Sequence, residues 1–459
     1  MGVPREITPL LVALAGCLSS PEASEREPPA AAAAGKVAVD DESVLEDWVE
    51  DMFELGHHAA LATGDLSLGP APSGDLLGRH VADCGPQADT APGAFGRLPY
   101  LQRERANEAS ILWTQPPGPP AEVHLWSADK VDDRRLTATR DASRFAAPHD
   151  LWFARADRLR PAAVYCYQLL RAGRRVFGPV GFRAPPDDLR RARVLVFGDM
   201  GHRTIDQSAV FAQLLRAPVD FALLAGDIAY DSGRPDELEQ NFFAIYAPLM
   251  ARVPFFPAAG NHDYRTLEGA PLRAAFALPD SGSDEGRERW YSFDWGPLHV
   301  AVIDSQRLVP AQLAWLDRDL AAAARPWTVA VLHRPPFSAG DHGDDPEIQQ
   351  LVHPILARRR VPLVFAGHDH DYERTVAVDG VTYVVTGGGG RGTKAVGRTA
   401  RTAFATRVAH HVLLEADERE LRLWAVDARG TTFDTARITR PAAGSTCHPP
   451  ARCRNDGTR

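Results

Sequence analysis

The sequence predicts a layered α/β domain preceded by an all-β sandwich, and three observations carry that prediction. Residues 97–184 consist of short alternating apolar runs separated by turn residues. From residue 190 to 440, continuous apolar runs alternate with helical patterns. Five of those runs end in aspartate, asparagine or histidine. A length of 459 residues suffices for two or three domains, each with its own core. Hydrophobic content of 44% and charged content of 24% are ordinary for a globular chain. The formal net charge of -9, with no basic cluster interleaved with aromatics, argues against a nucleic-acid partner. Arginine supplies nearly all the positive charge, since lysine occurs only as Lys36, Lys130 and Lys394.

No apolar run is long enough to span a bilayer. Residues 1–17 nevertheless have the shape of an export signal, with Arg5 ahead of a short apolar stretch over Ile7–Leu14. Leu14-Ala15-Gly16-Cys17 resembles a bacterial lipobox, in which Cys17 would be the lipidated residue. On that reading the protein is exported in a bacterium, periplasmic or at the cell surface, and touches membrane only through an N-terminal lipid anchor. A degraded signal peptide is the alternative, because Glu6 offsets Arg5. Export would place the chain where disulfides persist. Cys84, Cys166, Cys447 and Cys453 then allow three pairings, and Cys447–Cys453 closes the shortest loop.

Residues 18–96 read as a tether. An alanine-proline stretch runs through Ala34, a short amphipathic helix fits Val44–Phe53, and Gly, Pro and Ala dominate from Thr63 to about Pro92. His57 and His58 fall in this tether and receive no role. Residues 441–459 read as a C-terminal tail.

The sandwich prediction for 97–184 rests on runs such as Ala109–Trp113, Glu122–Trp126 and Val164–Leu169. Leu159-Arg160-Pro161 followed by Tyr165 resembles the tyrosine corner of immunoglobulin-like folds, where the phenol bonds upstream backbone. Pro185-Pro186 closes this region. Beyond it, Val194–Phe197, Phe221–Leu224 and Thr328–Leu332 suit strands covered on both faces. Helical patterns lie between them at Ser208–Leu215 and Pro310–Leu320, and strands return from Tyr383 to about Thr439.

The polar residues at the ends of these runs carry the chemistry. In order they are Gly198-Asp199-Met200-Gly201, Gly226-Asp227-Ile228-Ala229-Tyr230, Gly260-Asn261-His262-Asp263, Val331-Leu332-His333 and Gly367-His368-Asp369-His370. Ligands at carboxyl ends of strands in an open α/β sheet converge on one crevice. One glycine-aspartate turn means little, whereas five such blocks in this order are specific.

With these blocks, residues 97–440 resemble the metallophosphoesterase superfamily, and within it the purple acid phosphatases of bacterial type, with a fibronectin- or immunoglobulin-like domain ahead of an α/β/β/α sandwich. Most superfamily members carry His where this chain has Gly201, and here Tyr230 lies three residues after Asp227, the exchange that marks the purple acid phosphatases. A one-residue shift to His202 is the alternative, and it leaves Tyr230 without a role. The resemblance implies that Asp199, Tyr230 and His370 bind a first metal, Asn261, His333 and His368 a second, and that Asp227 bridges. The oxygen-rich first set suits Fe3+, and the second suits Zn2+, Mn2+ or Fe2+. It also implies that hydroxide on the metal pair attacks the phosphorus of a phosphate ester. His262 matches the family's phosphate-contacting histidine, and His342 a second one that serves as an alternative proton donor. The family pattern has Val where this chain has Ala330, a packing position.

Other residues take plainer readings. His299 reads as a satisfied core histidine, His410 and His411 as structural, and Gly387–Gly390 as a flexible turn, because it lacks the Lys-Ser/Thr ending of a phosphate loop. The leading function is a binuclear metal-dependent phosphomonoesterase, that is, an acid phosphatase-like hydrolase. A phosphodiesterase or nucleotidase using the same site is the alternative, and a catalytically silent surface-binding protein comes third. Substrate, second metal, pH optimum and oligomeric state are not encoded in these motifs.

Overall fold

The computed structural model describes residues 63–103, 105–141, 150–280 and 282–440. Cys17, the helix expected over 44–53, His57, His58, Cys447 and Cys453 lie outside the described residues. No helix among the described residues is long and apolar enough to cross a membrane.

Eight strands build the first part: β1 (Arg97–Gln102), β2 (Ala109–Gln115), β3 (Glu122–Ser127), β4 (Asp133–Leu136), β5 (Thr139–Arg140), β6 (Asp150–Ala156), β7 (Val164–Arg171) and β8 (Arg174–Arg183). They form two antiparallel four-stranded sheets, ordered β1-β2-β6-β5 and β4-β3-β7-β8. Ile111 and Trp113 of one sheet share a buried core with Val123, Leu125, Tyr165 and Tyr167 of the other. The Tyr165 hydroxyl accepts the Arg160 backbone N–H at 3.0 Å, the upstream bond of a tyrosine corner.

The second part holds β9 (Ala192–Phe197), β10 (Phe221–Leu224), β11 (Phe255–Pro257), β12 (Tyr291–Trp295), β13 (Leu298–Val302), β14 (Trp327–Val331), β15 (Leu363–Ala366), β16 (Tyr372–Thr375), β17 (Thr382–Thr386), β18 (Thr402–Thr406), β19 (His410–Ala416), β20 (Glu420–Asp427) and β21 (Thr432–Thr439). One sheet runs β11-β10-β9-β19-β20-β21 and the other β12-β13-β14-β15-β17-β16-β18. Their layering follows from the two-residue period of a strand. Val300, Val302, Val329, Val331, Leu363 and Phe365 face the first sheet in one common core. The residues between them, Ala301, Ala330 and Val364, face the helices Pro310–Ala322 and His353–Arg358 through Leu316, Leu320 and Leu356. Helix Ile205–Leu214 covers the other side of the first sheet with Val210 and Leu214, its start capped by the Thr204 hydroxyl. The result is the α/β/β/α sandwich.

Residues 63–96 depart from the tether expected of their composition. Gly64 N–H donates to the Phe433 carbonyl at 2.7 Å, and Leu76 N–H to the Leu215 carbonyl at 2.9 Å. Leu76 is buried in the main core, and Cys84 forms a disulfide with Cys166 of β7. The segment is a strap laid over the fold. Its few anchors are single residues, so the surrounding Gly, Pro and Ala hid them.

Candidate metal centre

β9, β10 and β11 run parallel to one another, as do β13, β14 and β15. Asp199, Asp227 and Asn261 therefore leave the first sheet at the same edge, and His333 and the His368–His370 pair leave the second. Asp199, Asp227 and His368 adopt φ of 58°, 50° and 75°. Such left-handed backbone in non-glycine residues is held at a cost and is common at functional sites.

Asp199, Asp227 and His333 are buried and offer ligand atoms within 4.8 Å of one another. His333 Nδ1 donates to the Ala225 carbonyl at 2.7 Å, which leaves the lone pair on Nε2. That Nε2 lies 3.0 Å from Asn261 Oδ1 and 3.5 Å from Asp227 Oδ2. Three acceptors thus face each other, an arrangement a cation satisfies. On the other side, the Tyr230 hydroxyl donates to Asp199 Oδ1 at 3.0 Å and lies 3.3 Å from His370 Nε2. Asp199 Oδ2 accepts the His368 backbone N–H at 3.0 Å, and the His368 ring meets His333 edge-on with centroids 5.0 Å apart. These contacts join all seven residues in one cluster.

Burial pushes the Asp199 carboxyl up, with Asp227 adding to it, and burial with the Asp199 charge pushes the Tyr230 phenol up. Burial, then His333, drives His368 down to about 2, and burial drives His370 down to about 4. Acidic groups that retain protons and histidines that shed them are what a dry site without charge compensation produces. A bound cation relieves the first effect and uses the second.

His262 sits over Tyr230, ring centroids 4.4 Å apart. Its backbone N–H donates to Asp227 Oδ1 at 2.8 Å and its Nδ1 to the Asp231 carbonyl at 2.7 Å, while Nε2 lies 4.0 Å from Asp227 Oδ2. Burial lowers its proton affinity. His342 stacks on the His368 ring at 3.9 Å with half its side chain exposed. Its Nδ1 and backbone N–H both donate to Asp369 Oδ1, at 2.9 and 2.7 Å, and that bond raises its proton affinity.

Two supporting residues received no role from the sequence although they stand inside the quoted blocks. Asp369 holds His342 and accepts the Ser338 hydroxyl at 2.6 Å. Asp263 accepts the backbone N–H groups of Gly260 and Ile228, at 2.9 and 3.1 Å, and so ties two ligand loops together. A carboxylate within a ligand motif was the available signal.

A Cβ added at Gly201 would stand 1.8 Å from the Ile228 carbonyl oxygen, so no side chain fits there on this backbone. His202 lies edge-on to Tyr230 with Nδ1 3.9 Å from Asp231 Oδ1. The glycine run 387–390 corrects the flexible-turn expectation: all four are buried. Cβ atoms at Gly387 and Gly389 would stand 2.0 Å from the Asp369 carbonyl and 2.2 Å from the Gly198 carbonyl. Glycine is required there by close backbone approach. His299 is a satisfied core histidine bonded to Asp294 and Asp319 at 2.8 and 2.9 Å. His410 is buried against Thr386 and the Val408 carbonyl.

Residues 192–372 match the family model described as calcineurin-like phosphoesterase. The chain is 29% identical over 213 residues to acid phosphatase type 7 of Mus musculus, covering 40% of this chain and 47% of that protein. It is 29% identical over 271 residues to a nucleotide pyrophosphatase/phosphodiesterase of Hordeum vulgare, covering 46% and 73%. Against probable inactive purple acid phosphatase 27 of Arabidopsis thaliana it is 26% identical over 383 residues, covering 70% and 60%. The match thus spans about half the length of the mouse acid phosphatase.

Proposed function

We propose, for a chain that belongs to the calcineurin-like phosphoesterases on their purple acid phosphatase branch, that it is a binuclear metal-dependent phosphomonoesterase. The observation that carries this reading is the convergence of acceptors: His333 Nε2, Asn261 Oδ1 and Asp227 Oδ2 face each other, with Asp199, Tyr230 and His370 clustered beside them. Asp199, Tyr230 and His370 would hold the first metal, Asn261, His333 and His368 the second, and Asp227 both. Hard anionic oxygens suit Fe3+ in the first set, and imidazoles with a neutral amide suit Zn2+, Mn2+ or Fe2+ in the second. Two such ions, when bound, would supply Lewis-acid charge for the phosphoryl oxygens and a water acidic enough to attack phosphorus near neutral pH.

The chain's own residues orient substrate and move protons. His262 is tethered at its backbone N–H and at Nδ1, so Nε2, which lies 3.4 Å from Arg265 Nη2, is the atom that would meet a phosphoryl oxygen once the ring is protonated. His342 keeps Nδ1 on Asp369 and presents Nε2 from a half-exposed ring, a placement suited to protonating the departing alkoxide. The chain's export and the lipidation of Cys17 belong to the same proposal, supported by the Cys84–Cys166 disulfide, a bond that persists in oxidising compartments.

Turnover of phenyl phosphate against bis(4-nitrophenyl) phosphate, before and after chelation and metal repletion, tests the reading. Metal-dependent monoester hydrolysis supports it, and loss of neither activity on chelation contradicts it. The printed name of the Hordeum vulgare relative favours a diesterase as the second reading, and a preference for the diester would select it.

A further inference from the structure

The Tyr230 hydroxyl meets Asp199 and His370, and the backbone behind it is fixed on both sides. Its N–H donates to the Gly201 carbonyl at 2.7 Å. Its carbonyl accepts from Asn241 Nδ2 at 2.9 Å, and the N–H of the same peptide unit, that of Asp231, donates to Glu237 Oε1 at 3.0 Å. Glu237 and Asn241 stand four residues apart, a spacing that lets both side chains reach one loop. Asn241 belongs to a six-residue π-helix, Leu238–Phe243. Such π-turns are rare and occur mostly at functional sites.

The sandwich grips the same short element. Arg97 of β1, only 5% exposed, donates Nε to both Glu239 carboxylate oxygens, at 3.0 and 3.2 Å, and Nη2 to one of them. Its guanidinium carbon lies 3.7 Å from the centroid of the Phe243 ring. A forked, charge-assisted pair fixes orientation as well as distance, and the ring contact restrains it further. From the other domain, Gln207 donates Nε2 to the Asn241 carbonyl at 2.8 Å, while its Oε1 accepts the His202 and Arg203 N–H groups at 3.2 and 2.6 Å. One six-residue element is thus bonded to the sandwich, to the loop after Asp199 and to the peptide of Tyr230. A surface carbonyl can take its hydrogen bond from water. The Tyr230 carbonyl takes it from a side chain whose own backbone is held by two other elements.

We infer that Asn241 is a positioning residue for Tyr230, and that Arg97 anchors the π-helix from which it acts, so that the β-sandwich helps to set the first-metal side of the candidate centre. The inference rests on the proposed ligand role of Tyr230 and deepens it.

The test uses the full protein loaded with Fe3+ and Zn2+ and compares wild type, Asn241→Leu, Arg97→Met and Arg97→Lys, each checked for cooperative melting. The readouts are the visible band and the retention of each metal in competition with EDTA. Asn241→Leu removes the donor and keeps a side chain of similar length. It shifts or weakens the band and lowers Fe3+ retention by about fivefold, the worth of one hydrogen bond, and leaves Zn2+ retention unchanged. A merely structural role would lower both metals together. Arg97→Met acts in the same direction, and Arg97→Lys restores part of the loss. A band and Fe3+ retention equal to wild type in Asn241→Leu overturn the inference, and an effect there with none in Arg97→Met overturns the sandwich's share of it. If the iron-loaded wild type is colourless, the ligand role of Tyr230 fails, and hydrogen exchange in the metal-free proteins decides the positioning. Exchange accelerated by Asn241→Leu over residues 226–232 and not over 260–264 supports it, and acceleration of both segments alike, or of neither, overturns it.

Discussion

His299 gives a stability prediction whose size and sign can be worked out. The ring sits on β13 with Nδ1 on Asp294 and Nε2 on Asp319, so it links β12 to helix Pro310–Ala322. Burial works against its charge, but the two carboxylates prevail and raise its pKa from 6.5 to about 9. A shift of that size corresponds to about 3 kcal/mol of preference for the charged folded form. Asp294 is 40% exposed, so solvent screening brings the figure nearer about 2 kcal/mol. The sign follows from a raised folded pKa. The contribution is complete below about pH 6.5, and it disappears as pH rises through about 9. His299→Asn keeps a polar side chain without a titrating charge. Calorimetric melting of both proteins at pH 6 and pH 9.5 measures the difference, which should be large at pH 6 and shrink towards that of neutral partners at pH 9.5. A gap between wild type and variant that is the same at both pH values would refute the reasoning.

Other outcomes follow from the same geometry. Replacing Cys84 and Cys166 together by serine should lower stability by about 4.5 kcal/mol on the chain-entropy model, given their separation of 82 residues, and should expose 63–96 to proteolysis. An unchanged melting temperature and cleavage pattern would show that the strap is held by its other contacts alone. Asp227→Asn should lose both metals with the sandwich still folded, whereas Asn261→Ala should mainly weaken the second, as read by metal analysis after gel filtration. Full stoichiometry in Asp227→Asn would remove the bridging assignment. Cys17→Ser should release the protein from detergent-extracted membranes or block its processing, and an unprocessed wild type in the cytosol would end the lipoprotein proposal.

The α/β layers were legible because their strands announce themselves twice. An apolar run such as Val194–Phe197 demands burial on both faces, and a polar residue two positions after it, Asp199, has no place in that core unless it serves a site. The same logic brought out Asp227, Asn261 and His333. Long-range contacts carried no such local signature. Leu76 belongs to a lone Leu-Leu pair among Gly, Pro and Asp, too short to announce a core contact until Leu215 is beside it. Cys84 had three possible partners in the sequence until the fold brought Cys166 of β7 to it. Gly387 and Gly389 looked flexible because composition cannot reveal that the Asp369 and Gly198 carbonyls occupy the space a Cβ would need. Asp369 was passed over between two histidines because a carboxylate that orients a neighbour looks, in sequence, like one that binds metal or one that faces solvent.

The proposed binuclear centre is tested most directly at Tyr230, the residue that separates a tyrosinate-bearing site from other metallophosphoesterases. Its hydroxyl points at Asp199 and His370 from a ring that is 1% exposed, so a ferric ion held by those residues would have the phenolate as a ligand. The decisive measurement is the visible spectrum of iron-loaded protein under oxidising conditions, with metal content determined on the same sample, for wild type and Tyr230→Phe. The account predicts two metals per chain and a broad visible band in the wild type, and no band in a folded variant. A colourless wild type that nevertheless contains two iron ions would contradict it and leave a metallophosphoesterase whose first metal is not bound by Tyr230.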